Sequence, residues 1–290
     1  MKRFMSVFLI VCIALGFAGC GVALSTATTE ATDVGGHDSL ALLTRVDMGD
    51  RWIEYDYNSF GLPVEIREVN KDGILSRRVF TYEDNICLQK QEIYYGDTLS
   101  ETEEYLREVE HQSQKVTKTV SRNETGAFPT LIEEYTYTED NYGDEIAQIR
   151  SYTEGSGEET RVQYTYNENW QRETVEFYSS DVLQTRTLIT YDEEGRTLTG
   201  TDYDASGRIT GQTLWEYTET TATVRSGPRT TLQTYDEAGN VIRREVWIDG
   251  EDVPVICNTY TYRWENLPAG YRAYDFILIQ LGLGYGGGIK

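Results

Sequence analysis

The strongest constraint on the fold of this chain is a five-residue phrase, Tyr-Asp-x-x-Gly, which it repeats. The phrase reads Tyr191-Asp192-Glu193-Glu194-Gly195, then Tyr203-Asp204-Ala205-Ser206-Gly207, and again Tyr235-Asp236-Glu237-Ala238-Gly239. An Asp at the first position of a type I turn can accept a hydrogen bond from the backbone two residues on. A Gly three places later takes the left-handed conformation that lets a bulged hairpin close. Each phrase is therefore a hairpin corner, with its Tyr ending the incoming strand.

Looser copies run through the rest of the chain. A Tyr preceded two places earlier by a large side chain recurs at Tyr55 and Tyr57, Phe80 and Tyr82, Tyr135 and Tyr137, Tyr164 and Tyr166, Ile189 and Tyr191, Trp215 and Tyr217, and Tyr260 and Tyr262. Tyr105 fills a gap as a weaker copy, and the spacing is about 25 residues, as expected of a repeat architecture. Tyr57-Asn58-Ser59-Phe60-Gly61 keeps the corner, whereas Asn167-Glu168-Asn169-Trp170 and Glu83-Asp84-Asn85-Ile86 lose the Gly, which predicts wider or more strained turns. Two strands and two corners fill one period. The strands are rich in Thr, Tyr, Val and Arg, and side chains two apart share a face. The body is thus expected to be all-β: an elongated, curved antiparallel sheet of successive β-hairpin repeats, with roughly sixteen strands whose accumulated twist bends it.

The copies at Tyr191–Arg196, Tyr203–Arg208 and Tyr235–Asn240 resemble the YD repeats of the bacterial RHS family. The resemblance is strong over 189–245 and fair over 52–172. In large members of that family, strand ribbons coil into a shell around a toxin segment, so the resemblance implies a hairpin-repeat architecture. About eight copies are too few to enclose a cargo domain, and no toxin-sized domain follows Tyr262, so toxin delivery is not expected.

Ahead of the repeats, Lys2 and Arg3 precede an apolar run from Phe4 to Phe17, then small residues and Cys20. A basic head, a short apolar segment and small residues at a cut describe a secretory signal. Phe17-Ala18-Gly19-Cys20 resembles the lipobox of bacterial lipoproteins, which implies that Cys20 is acylated and holds the protein on a lipid bilayer without spanning it. The expected organisation is a signal peptide at 1–19, lipidated Cys20 and a flexible Thr-, Ala- and Gly-rich tether at 20–44, a repeat domain at 45–267, and an apolar capping segment with a Gly-rich tail at 268–290. The product is expected to be exported and lipid-anchored on the extracytoplasmic side of a cell membrane.

Loss of residues 1–19 removes Lys2 and Arg3 and no carboxylate, so 24 Lys and Arg stand against 48 Asp and Glu, a net charge of −24. Such a balance excludes nucleic acid as a partner, because phosphates require clustered Lys and Arg. Cys12 lies in the signal, which leaves Cys87 and Cys257, too far apart in a linear array for a disulfide to be expected. His37 and His111 have no companions, so a His triad or His-based metal site is not expected. The carboxylates of a repeated sheet are the ordinary solvent face, and nothing singles out a catalytic pair. No cofactor, metal or enzymatic activity is expected.

The 22 Tyr and five Trp remain. Either they form the core of a thin sheet, or a row of them on a concave face binds an extended polymer. Trp170, which replaces a corner Gly, and Trp215 are the candidate ligand-binding residues. Two functions follow. One is a non-catalytic envelope lipoprotein that binds a glycan or a protein at the cell surface. The other is a structural or protein-interaction module, such as a partner or inhibitor of an RHS-type toxin or surface protein.

Overall fold

Alternating side chains make strands of this chain, and its corners make those strands neighbours. The computed structural model describes residues 39–84, 87–107, 116–138 and 145–266, without the side chains at 39, 40, 87, 107 and 264–266. The signal, Cys20, His37, His111 and the tail after 266 lie outside the described residues. The first nine strands are β1 (Ser39–Asp47), β2 (Arg51–Tyr57), β3 (Pro63–Asn70), β4 (Gly73–Glu83), β5 (Cys87–Tyr95), β6 (Thr98–Arg107), β7 (Val116–Asn123), β8 (Leu131–Tyr137) and β9 (Ile146–Thr153). They continue as β10 (Glu159–Tyr166), β11 (Arg172–Ser179), β12 (Val182–Tyr191), β13 (Thr197–Asp204), β14 (Ile209–Tyr217), β15 (Thr221–Ser226), β16 (Arg229–Tyr235), β17 (Val241–Ile248) and β18 (Ile256–Asn266).

Each strand pairs antiparallel with the next, and β1 pairs with both β2 (Arg45↔Glu54) and β18 (Ser39↔Asn266 to Asp47↔Thr259). The sheet is therefore a closed, up-and-down barrel, which corrects the expectation of an elongated, curved open sheet. The missing element is β1. Its residues 39–44 fall in the segment assigned to the tether, yet they form the strand that stands between β18 and β2. Without it, both of those strands would present a row of unpaired backbone groups.

The curvature that brings the ends together is built into the corners. Register shifts occur at Asp56/Tyr57, Thr81/Tyr82, Thr136/Tyr137, Thr165/Tyr166, Thr190/Tyr191 and Thr234/Tyr235, so a bulge sits at the anchor Tyr of strand after strand. A bulge bends its strand and increases local twist. Repeated every second strand in the same place, it rolls the sheet one way until the edges meet.

The two faces follow from the pairing. Tyr55↔Ile66, Phe80↔Gln91, Tyr105↔Thr119, Tyr135↔Ile149, Val175↔Thr187 and Thr231↔Val246 face inward, and their buried members form the core. The outward positions between them are half-buried or exposed and carry many of the charged side chains. One core cluster runs along Leu43, Val46, Tyr55, Ile66, Phe80, Leu88, Tyr105 and Val116, and a second joins Ala222, Tyr235 and Val241; Tyr260 packs against both.

Even-numbered strands end at one rim, termed here the anchor rim, which is also where β1 begins and β18 ends. At this rim a single contact recurs. The hydroxyls of Tyr57, Tyr82, Tyr137, Tyr166, Tyr191 and Tyr262 donate to the carbonyls of Leu43, Pro63, Val116, Ile146, Arg172 and Val241, at 2.6–2.8 Å. Each Tyr thereby reaches from the end of one strand to the preceding one. Burial pushes the Tyr191 and Tyr166 hydroxyls up to about 12.

Candidate functional site

The corner phrase builds the same turn at both rims. At Asp192 the backbone N–H of Gly195 donates to the Asp192 carbonyl (3.1 Å), that of Asp192 to the Arg196 carbonyl (2.9 Å), and that of Arg196 to Asp192 Oδ1 (2.7 Å). Asp204 and Asp236 repeat the pattern, with Gly195, Gly207 and Gly239 at φ 81°, 82° and 82°. The copies at Tyr191 and Tyr203 are one strand apart, so they lie at opposite rims: Asp192 and Asp236 at the anchor rim, Asp204 at the far one. Asp204 is lowered to about 2, first by the Ser206 hydroxyl and then by the Arg208 backbone N–H. Around Asp192, burial works to raise the carboxyl and is outweighed by Arg196, which leaves it lowered. These carboxylates are occupied in holding turns.

Trp170 stands in the Gly position of an otherwise identical corner. Its N–H donates to the Asn167 carbonyl (3.0 Å), Gln171 N–H donates to Asn167 Oδ1 (3.0 Å), and Trp170 itself sits at φ 61°. The corner is strained and keeps its width. Trp170 is 46% exposed at the anchor rim, whereas Trp215 is 8% exposed on the inner wall, where a Cβ on Gly200 would touch its ring at 3.4 Å. The two candidate ligand-binding residues therefore share no surface. Cys257 is free and exposed on β18, and Cys87, whose side chain lies outside the described residues, opens β5 at the other end of the barrel.

Sequence reading missed a polar cluster on the inner wall. Tyr105 donates to Glu103 (2.6 Å) on β6, and Tyr135 (2.9 Å) and Ser151 (3.1 Å) donate to Glu133 on β8. Gln91, 5% exposed, stands directly opposite Glu103, and its Oε1 is buried with no hydrogen-bond partner. Burial pushes Glu103 up to about 7, with Glu133 and Glu101 adding and Tyr105 opposing; burial also raises Glu101, against Arg78. Burial again drives the hydroxyls of Tyr105 and Tyr135 upward. The wall can hold a proton near neutral pH. Glu103 and Glu133 are themselves half-buried, with Gln91 and Thr119 beside them covered. The signal was legible as Glu-x-Tyr, because residues two apart share a strand face; Glu176 and Tyr178 repeat it on the outer wall at 2.7 Å.

That outer wall carries a belt of charge at mid-height. Arg67 meets Asp56 (2.8 Å), Arg122 meets Glu104 (2.7 Å), Arg150 meets Glu159 (2.6 Å) and Arg186 meets Glu176 (2.6 Å). Nearer the far rim, guanidiniums cover aromatic rings, Arg45 over Trp52 at 4.6 Å and Arg77 over Tyr94 at 4.1 Å.

No protein-family model and no curated protein matches the chain. Among solved structures it is similar to a porin-like protein from Bacteroides uniformis, with 12% identity over 77% of this chain and 98% of that one and a TM-score of 0.44. It is also similar to TcdB2-TccC3, with 11% identity, 76% of this chain covered and a TM-score of 0.35, spanning 13% of that chain. A third likeness is to the Photorhabdus luminescens Tc holotoxin pore, with 11% identity over 76% of this chain, 16% of that chain and a TM-score of 0.23. At these levels of similarity, the barrel's own residues carry the functional argument.

Proposed function

We propose that the protein is a non-catalytic, lipid-anchored lipoprotein of the cell envelope, whose barrel stands in water and binds a protein or glycan at the cell surface. The observation that supports this is the charged belt. A wall facing lipid is apolar across about 25 Å of height, and each Arg or Lys at its midplane costs about 2–4 kcal/mol. Arg67, Lys118, Arg150, Arg186 and Arg243 occupy outward positions mid-strand around the circumference. A barrel built in this way needs another means of membrane attachment, and acylation at Cys20, upstream of β1, supplies it.

The test is Cys20→Ala in the intact gene product. Metabolic labelling with an alkyne fatty acid marks the wild type and not the variant, and carbonate washing releases the variant from membranes while the wild type stays. A Cys20→Ala protein that resists carbonate and needs detergent would mean that the barrel itself is inserted, and the proposal would fall.

A further inference from the structure

The large apolar side chains left exposed are unevenly placed. The anchor rim shows Leu106, Trp170, Leu198 and Ile242, spread singly. The far rim gathers more, and one arc from β12 to β18 carries Val182, Ile209, Val253, Val255 and Ile256, the first three at 60%, 60% and 66% exposure. Strands about 4.8 Å apart make that arc about 29 Å long, the length of a helix of roughly 19 residues. Exposed Asp181, Asp249, Glu251 and Asp252 are interleaved with it. Of the basic residues at this rim, Arg161 is engaged by Asp181 (3.5 Å), Arg208 by Asp204 (3.1 Å) and Arg225 by Glu216 (2.6 Å), while Arg229, at the start of β16, is exposed.

We infer that this arc is a docking surface for a basic amphipathic polypeptide segment, whose apolar stripe covers Val182, Ile209 and Val253 while its Lys and Arg meet the flanking carboxylates. Exposed apolar anchors with carboxylates between them suit an amphipathic helix whose polar flank is basic. The same carboxylates oppose a second copy of this chain and an anionic bilayer, both of which would bring like charges together. The inference deepens the reading of the protein as a binding module and is independent of Cys20, since loss of the acyl label leaves the arc intact.

The test uses the purified full chain and a fluorescent 18-residue Leu/Lys amphipathic peptide, with a Ser/Lys peptide of equal charge as comparison. The Leu/Lys peptide binds at least tenfold more tightly than the Ser/Lys peptide. The triple variant Val182→Ser, Ile209→Ser, Val253→Ser loses that advantage, whereas Leu198→Ser, Ile242→Ser at the other rim keeps it. Asp249→Asn with Glu251→Gln weakens binding and flattens its salt dependence. Equal binding of the two peptides would reduce the effect to net charge and overturn the inference. So would equal losses at both rims, binding of anionic vesicles through the arc, or arc-dependent dimers in sedimentation.

Discussion

Trp170 carries the largest side chain held in the left-handed region among the described residues, at φ 61°, in a corner where Gly61, Gly195 and Gly239 take the same role. Such a position costs a residue with a Cβ about 1–2 kcal/mol. Trp170→Gly is expected to raise stability by about 1 kcal/mol, and Gly195→Ala to lower it by about 1–2 kcal/mol. The added methyl would also meet Gln171 Nε2 at 2.8 Å, the group that donates to the Gly195 carbonyl. Urea midpoints of the two variants check both signs. Glu103 makes the second prediction at this scale. Its carboxyl is raised from 4.5 to about 7, so the folded chain holds the proton more firmly than the unfolded one. The stability it contributes is full below about pH 4.5 and is lost as pH rises to about 7, by ~3 kcal/mol as an upper bound. When protonated, this carboxyl is also a donor standing opposite the orphan Gln91 Oε1. Glu103→Gln should flatten the stability profile between those pH values relative to wild type and leave the variant more stable at pH 8. Thermal melts across pH 4–8 measure it, and an unchanged slope would refute the assignment.

The hairpin is where sequence and structure correspond most closely, and the reason is local. The Asp or Asn that binds its own turn, the left-handed residue and the bulge lie within five residues, so Asp192, Asp204, Asp236, Asn58 and Asn167 announce the corners without help from the rest of the chain. The paired aromatics two residues apart were legible too, as members of one face. Their hydroxyl contacts were not, because the acceptor lies on another strand 14 to 21 residues away. Each contact is a neutral hydrogen bond worth about 0.5–1.5 kcal/mol net. Tyr82→Phe and Tyr191→Phe are each expected to lower stability by about 1 kcal/mol, and the double variant by their sum, because the sites share no partner. Chemical denaturation of the three variants tests this, and a double effect well above the sum would mean that the tyrosines act as one unit. The inner face itself was hidden, because it mixes Tyr and Val with Glu103, Gln91 and Thr119 while the outer one carries Tyr94 and Trp247. Alternation with polar residues on both sides tells a strand but not which side is the interior.

Closure belongs to the whole molecule. The strand that decides it, β1, pairs with strands at both extremes of the described chain, and its Val46 stands opposite Tyr260 on β18 and Ile53 on β2. A Pro there cannot donate to the ladder of a strand paired on both sides and leaves an acceptor unmet, at a cost of about 1–3 kcal/mol. Val46→Pro is expected to expose the edges of β2 and β18, drop the melting midpoint and yield oligomers in light scattering, since free edges recruit other chains. A monomeric variant with an unchanged midpoint would show that the ring does not depend on β1.

By itself, then, the sequence determined the strands, their antiparallel succession and the bulged corners, since these are settled by neighbours within a few residues. Only the tertiary structure decided that the sheet closes, which face turns inward and where Glu103 finds Gln91. Those outcomes depend on curvature summed over the eighteen strands of the described residues and on β1, whose pairing no local pattern records.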